Sequence, residues 1–305
     1  MENIYKIVSC GIIEKYTEEK NMLNKNKLVF ACVIGALFIA SCSNKMSIES
    51  SSDSAGGGKA YAEFMACSAG PDFNAENAMK MIGDWQKLIT AESLYGAWGY
   101  VPAADTNSTG DTLWWELNWS SKEEADAEWK AWSQNQDGQA WAEEYSNVMV
   151  CDGPGRNSFD VDYPIVPGTY GSANESGYFY SEYYGCNYVD GAGRNDAEEF
   201  LPGFVNAVGN SDYSDTDYSF GNYFAHKNPN GSHADANIDF MWANFTDSKD
   251  SMDKAASSFE KDVRDEMFPL FSEFASCAEV PDVYHSWTFY DSIDKDFMPD
   301  FTKRN

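Results

Sequence analysis

The sequence predicts an α+β body built from two tandem βαββαβ units. Three observations carry that expectation: landmarks recur in the same order along the chain, strand-like and helix-like periodicities alternate identically in both copies, and four body cysteines fall at matched places. Glu63-Phe64-Met65-Ala66-Cys67 matches Glu182-Tyr183-Tyr184-Gly185-Cys186, and Ala78 and Trp85 then fall on Ala197 and Phe204. Tyr95-Gly96 falls on Phe220-Gly221, Asn118-Trp119-Ser120 on Asn244-Phe245-Thr246, and Cys151 on Cys277.

Each element follows from local chemistry. YAEFMACSA is rich in strand formers, and residues 74–89 place apolar side chains at 78, 81, 82, 85, 88 and 89, a helical stripe. LYGAWGYV and TLWWELNW read as aromatic strands joined by the turn-forming ADTNSTGD. Ser120 with Glu123 forms a capping box that opens a long helix towards Val150. NSFDVDY follows the Gly-Pro-Gly turn as a last strand. The second copy repeats the order with YFYSEYYGC, 197–208, YSFGNYFAH, NIDFMWANF, 247–275 and YHSWTFYD.

The central strands are apolar on both faces: in TLWWELNW, Trp114 alternates with Leu113 and Trp115. A sheet covered by its own helices on one side would leave those rings in water, so the second copy is the expected cover. The order βαββαβ is the ferredoxin-like split unit. Two such units packed sheet-to-sheet resemble, in one chain, the pseudo-dimeric α/β barrel. That superfamily includes stress-responsive barrel proteins, antibiotic-biosynthesis-type monooxygenases and chlorite-dismutase-like haem proteins. The resemblance spans residues 60–291 and rests on topology and duplication, so it implies a fold and not a reaction.

Composition limits the function. With 21 Lys+Arg against 49 Asp+Glu the net charge is −28, which excludes the basic footprint that nucleic acid needs. A 43% hydrophobic, 15% aromatic chain can still bury a large core.

The N-terminus reads as an address. Lys25 and Lys27 precede the apolar run from Leu28 to Ala40, which ends in Ile39-Ala40-Ser41-Cys42. A basic start, a short apolar core and small residues before a cleavage point make a secretory signal, and the run is shorter than the about 20 residues of a membrane span. Its last four residues resemble the bacterial lipobox, which implies lipidation of Cys42. The expected organisation is an upstream extension (1–21), a lipoprotein signal (22–41), a Ser/Gly-rich tether (42–59), two repeats (60–170 and 171–295) and a tail (296–305). The expected location is the bacterial cell envelope, periplasmic or on the outer-membrane surface, with the lipid membrane as partner through acylated Cys42. The body is expected to be a monomer with an internal pseudo-dimer.

The four body cysteines allow three pairings. In a βαββαβ unit the first strand and second helix end at one sheet edge, so Cys67–Cys151 and Cys186–Cys277 are expected, in an oxidising compartment. The spacing lacks any Cys-x-x-Cys or His-x-x-His, so no metal is expected.

Nucleophile, P-loop and zinc-protease motifs are missing, and Gly191-Ala192-Gly193 is an incomplete dinucleotide loop. Asp212, Asp215 and Asp217, and the run from Asp235 to Asp239, have a calcium-loop composition without its glycine or terminal glutamate. The candidates for a ligand cleft are Glu63 and Glu182, each on the face of its cysteine, with Asn118 and Asn244 at the ends of the third strands. His226 and His285, the strand histidines, are the axial candidates that a haem-binding relative would need. The expected function is a tethered, non-catalytic module that binds a small apolar or aromatic ligand or serves structure, with no cofactor. The alternative is a haem-handling or monooxygenase-like enzyme using the sheet–helix cleft.

Overall fold

β-Branched and aromatic runs become strands, and the apolar stripes between them become helices that cover one face. A computed structural model describes residues 58–172, 174–227 and 238–303. The expected extension, signal, lipid site Cys42, and the tether as far as residue 57 lie outside the described residues, as does His233. Gly58 and Lys59, assigned to the tether, instead begin the first strand.

The elements are β1 (Gly58–Ala69), α1 (Ala75–Gln86), β2 (Leu94–Pro102), β3 (Leu113–Trp119), α2 (Lys122–Trp132), α3 (Gln136–Glu144), β4 (Met149–Cys151) and β5 (Asn157–Ile165). Then come β6 (Tyr178–Tyr188), α4 (Arg194–Gly209), β7 (Ser219–Ala225), β8 (Phe240–Thr246), α5 (Lys249–Ser258), a π-helical turn (Phe259–Val263), α6 (Arg264–Ser272), β9 (Ala275–Cys277) and β10 (Asp282–Asp291). Among the described residues no helix is long and apolar enough to cross a membrane.

The expected fold, two ferredoxin-like sheets packed face to face, is corrected. Among the described residues the strands form one closed eight-stranded antiparallel barrel in the order β2-β3-β1-β5-β7-β8-β6-β10, with β10 returning to β2. The two seams between halves are backbone ladders, β5 with β7 and β10 with β2. The physical reason is edge satisfaction. A free four-stranded sheet leaves two rows of unpaired N–H and C=O groups, and closure pairs them. Inward side chains such as Phe64, Tyr100, Phe159, Tyr183, Tyr223 and Tyr284 then pack as a single cluster. The helices cover the outside: Met81, Ile82 and Trp85 of α1 pack on Trp115, Leu117 and Phe289, while Leu201, Phe204 and Val208 of α4 pack on Phe220 and Ile165.

The long helices are interrupted. The N-cap is Ser121, not Ser120; its side chain accepts from Glu124 N–H, and Ser248 does the same for Ser251. In the first half Asn135 caps a new helix after a break, and in the second a π-helical turn separates α5 from α6. The cysteines form Cys67–Cys151 and Cys186–Cys277. Their partners sit not at a helix end but on the short strands β4 and β9, directly opposite the first strand of each half.

Candidate functional site

Two clefts lie between the barrel wall and its helices, one in each half. The second-half cleft has a volume of about 780 Å³ and is walled by Phe204, Trp242, Ala255, Ala256, Phe259 and Phe271, with Glu182 and Asn244 among its polar groups. The first-half cleft, about 580 Å³, is lined by Trp85, Trp115, Trp119, Trp129, Trp132 and Trp141.

The carboxylates of the two halves have different company. Glu63 is 1% exposed and fully engaged. Arg156 Nε donates to its Oε1 at 2.7 Å, and the indole N–H groups of Trp119 and Trp129 donate to Oε2. The Arg156 guanidinium also lies 4.3 Å from the Trp129 ring centre. Glu182 holds the matching place in β6, yet each of those three donors is replaced. Glu63 stands opposite Leu117 and Ser158, and Glu182 stands opposite Asn244 and Val283. By that register, and by the matched caps Ser121 and Ser248, Trp119 corresponds to Thr246, Trp129 to Ala256 and Arg156 to Pro281. The loss of the Trp129 ring at Ala256 helps to open the cleft. Among the described residues Glu182 keeps only a 3.4 Å hydrogen bond from the Tyr184 hydroxyl, and burial raises its pKa.

The same register separates the two asparagines. Asn244 faces the cleft, where its Oδ1 accepts from Tyr218 OH at 2.9 Å and Trp242 Nε1 at 3.1 Å. Asn118 is one residue out of step with it: it pairs with Ala62, an interior position, and donates to Tyr163 OH at 2.6 Å inside the barrel. A one-residue slip in a strand carries a side chain to the opposite face.

The two described histidines are engaged elsewhere in the fold. His226 Nε2 lies 2.7 Å from Asp160 Oδ1, and His285 Nδ1 lies 2.9 Å from Tyr178 OH. Neither borders the two clefts. As axial ligands for a haem in the sheet–helix cleft, the described histidines therefore do not fit. Among the described residues no group of three or more His, Cys, Asp or Glu is arranged to hold a metal ion.

Glu116 was not among the sequence candidates. It lies in the barrel interior, 1% exposed, where the hydroxyl of Tyr100 donates to Oε2 and that of Tyr163 approaches Oε1 at 3.5 Å. Burial pushes its pKa up to about 7 against the lowering effect of those tyrosines and Tyr223. The available signal was a lone carboxylate in the middle of Trp-Trp-Glu-Leu-Asn-Trp.

No family model matches the sequence, and no curated protein matches it. Solved structures are similar in outline. A candidate monooxygenase from Fusobacterium nucleatum is 11% identical, with a TM-score of 0.46 over 76% of this chain and 92% of its own. A chlorite dismutase variant from Candidatus Nitrospira defluvii is 9% identical, with a TM-score of 0.42 over 78% and 94%. A candidate monooxygenase from Lactobacillus acidophilus is 9% identical, with a TM-score of 0.43 over 76% and 94%. These are α+β barrel proteins, and at such identities their reactions say nothing of the residues used here. The expected non-catalytic module is not kept, because this chain's second cleft presents a carboxyl group, that of Glu182, held among the described residues by a single 3.4 Å hydrogen bond.

Proposed function

We propose that the protein is an oxygenase-like enzyme that binds a large apolar, aromatic ligand in the sheet–helix cleft of its second half. Glu182 is the proton acceptor. The observation that carries the reading is the contrast between the two halves: Glu63 is locked by an arginine and two indoles, whereas the matching Glu182 borders a cavity of about 780 Å³ with one weak partner. A carboxyl group with a raised pKa in an apolar cleft suits proton abstraction near neutral pH. Removing the hydroxyl proton of a naphthol leaves an electron-rich anion that dioxygen oxidises: one oxygen atom bonds to a ring carbon, which loses its hydrogen, and the other leaves as water with the proton returned by Glu182, so that naphthol and dioxygen give a quinone and water.

Oxygen uptake with a series of hydroquinones and naphthols tests this. Glu182→Gln is expected to lower the rate by about 10²–10⁴. The wild-type rate should rise with pH through the carboxyl's raised pKa, because the base works only when ionised. Ala256→Trp, which restores the ring present at Trp129 in the first half, should fill the cleft and abolish binding while the fold is kept. Full oxygen uptake in both variants would sink the proposal.

We also infer that the body is exported and held at an envelope membrane by acylated Cys42, with residues 22–41 removed. The lipobox-like Ile39-Ala40-Ser41-Cys42 supports this, and the two disulfides of the body suit an oxidising compartment. Cys42→Ser is expected to leave the chain unprocessed and unacylated. Unchanged processing, measured by mass spectrometry of the membrane fraction, would count against it.

A further inference from the structure

Glu116 lies outside both sheet–helix clefts, and the proposed chemistry at Glu182 does not use it. A third cavity, of about 630 Å³, is lined by residues from strands and loops of both halves. Phe64, Trp114, Met241 and Tyr284 give it apolar walls, and Tyr100 and Tyr183 stand on its lining. Tyr100 is 3% exposed, and its hydroxyl donates to Glu116, itself 1% exposed. The buried Tyr183 hydroxyl lies against Tyr100 without a well-formed hydrogen bond. Beyond Glu116 the polar chain continues to Tyr163, whose hydroxyl is 3.0 Å from that of Tyr223. The groups that face Glu116 are thus Tyr100 from β2, Tyr163 from β5, Tyr183 from β6 and Tyr223 from β7. No ion pair forms at this carboxyl among the described residues.

We propose that the barrel interior is a second site, which binds a small aromatic ligand bearing an acidic hydroxyl and passes its proton through Tyr100 to Glu116. The ligand's O–H bond breaks as its proton moves to the Tyr100 oxygen, and the Tyr100 proton moves to Glu116 Oε2. The ligand is left as its oxyanion and Glu116 as the neutral acid, so net charge is conserved and nothing is oxidised. The site would act as a proton acceptor shielded from bulk water. Burial is what suits Glu116 to accept that proton, since a carboxyl group titrating at about 7 is matched to an acidic phenol.

The probe is 4-nitrophenol, whose phenolate absorbs in the visible range while the neutral phenol does not. The purified chain should bind it saturably at about pH 7, where Glu116 is partly ionised, and raise the phenolate band above that of the free dye at the same pH. Glu116→Gln and, separately, Tyr100→Phe should bind the dye but lose that band by at least tenfold. Thr109→Trp, at the cavity lining, should abolish binding. Glu182→Gln and Ala256→Trp should leave the signal unchanged, which keeps this site distinct from the second-half cleft. Near-ultraviolet circular dichroism reports whether each variant is folded. If one of Glu116→Gln and Tyr100→Phe fails to fold, the other decides. No saturable binding, a phenolate band that survives in the folded variants, or a band lost only in Ala256→Trp overturns the proposal.

Discussion

Arg156→Ala is expected to destabilise the protein by about 3–5 kcal/mol, the range for removing one partner of a buried ion pair. Glu63 is 1% exposed and its Oε1 depends on Arg156 Nε at 2.7 Å. The arginine is fixed from two further sides: its Nη1 donates to the Gly153 carbonyl at 2.9 Å, and its plane covers the Trp129 ring. Truncation leaves a carboxylate that two indole N–H groups alone must hold in a low-dielectric wall, and it removes the stacked surface as well. The companion variant, Glu63→Leu with Arg156→Leu, should lose much less, because no buried charge is stranded. Urea unfolding followed by tryptophan fluorescence measures both. A loss below about 1 kcal/mol for Arg156→Ala, the range of an exposed pair, would contradict the structure.

Glu116→Gln is expected to stabilise the protein at pH 8 by about 3 kcal/mol and to have little effect at pH 4. The folded carboxyl titrates at about 7 against an ordinary 4.5, so the folded state keeps its proton where the unfolded chain has released it. Below the unfolded value both states are protonated and the group carries no penalty. As pH rises towards about 7 that stability is lost progressively, and above it the cost of the buried charge is felt in full. Glutamine keeps the shape, never ionises and is free of this slope. Thermal melts of both proteins across pH 4–8 should therefore diverge with rising pH. Parallel curves would mean that Glu116 is not buried as a near-neutral acid.

Both disulfide pairs were legible because the four cysteines recur at matched places along the chain, and cysteine pairing tolerates small errors of alignment. The face of Asn118 was not. Asn-Trp-Ser and Asn-Phe-Thr invite a gapless match, but the ladders set Leu117, not Asn118, at the place of Asn244. Strands apolar on both faces give no alternation to expose a slip of one residue. Glu116 escaped notice for the opposite reason: the register puts Ala243 in its place, so a search for repeated polar residues passes over it. Closure of the barrel was hidden too. Pairing of β5 with β7 and of β10 with β2 joins backbones, and backbone hydrogen bonds leave little trace in side-chain pattern. The cleft at Ala256 could not be seen before the two halves were laid in register, because an alanine on a helix reads as ordinary.

The last strand, β10, bonds to β6 of its own half and to β2 near the start of the body. During synthesis the growing chain therefore carries every other stave of the barrel before it carries the one that closes it. Until β10 arrives, β2 and β6 each present a bare edge, and the aromatic interior stays open to water. Neither half can complete itself early and wait for the other. The body consequently gains its native state late and as one unit, through contacts between residues nearly 200 positions apart such as Gly96 and Asp291, and such a chain folds slowly for its size.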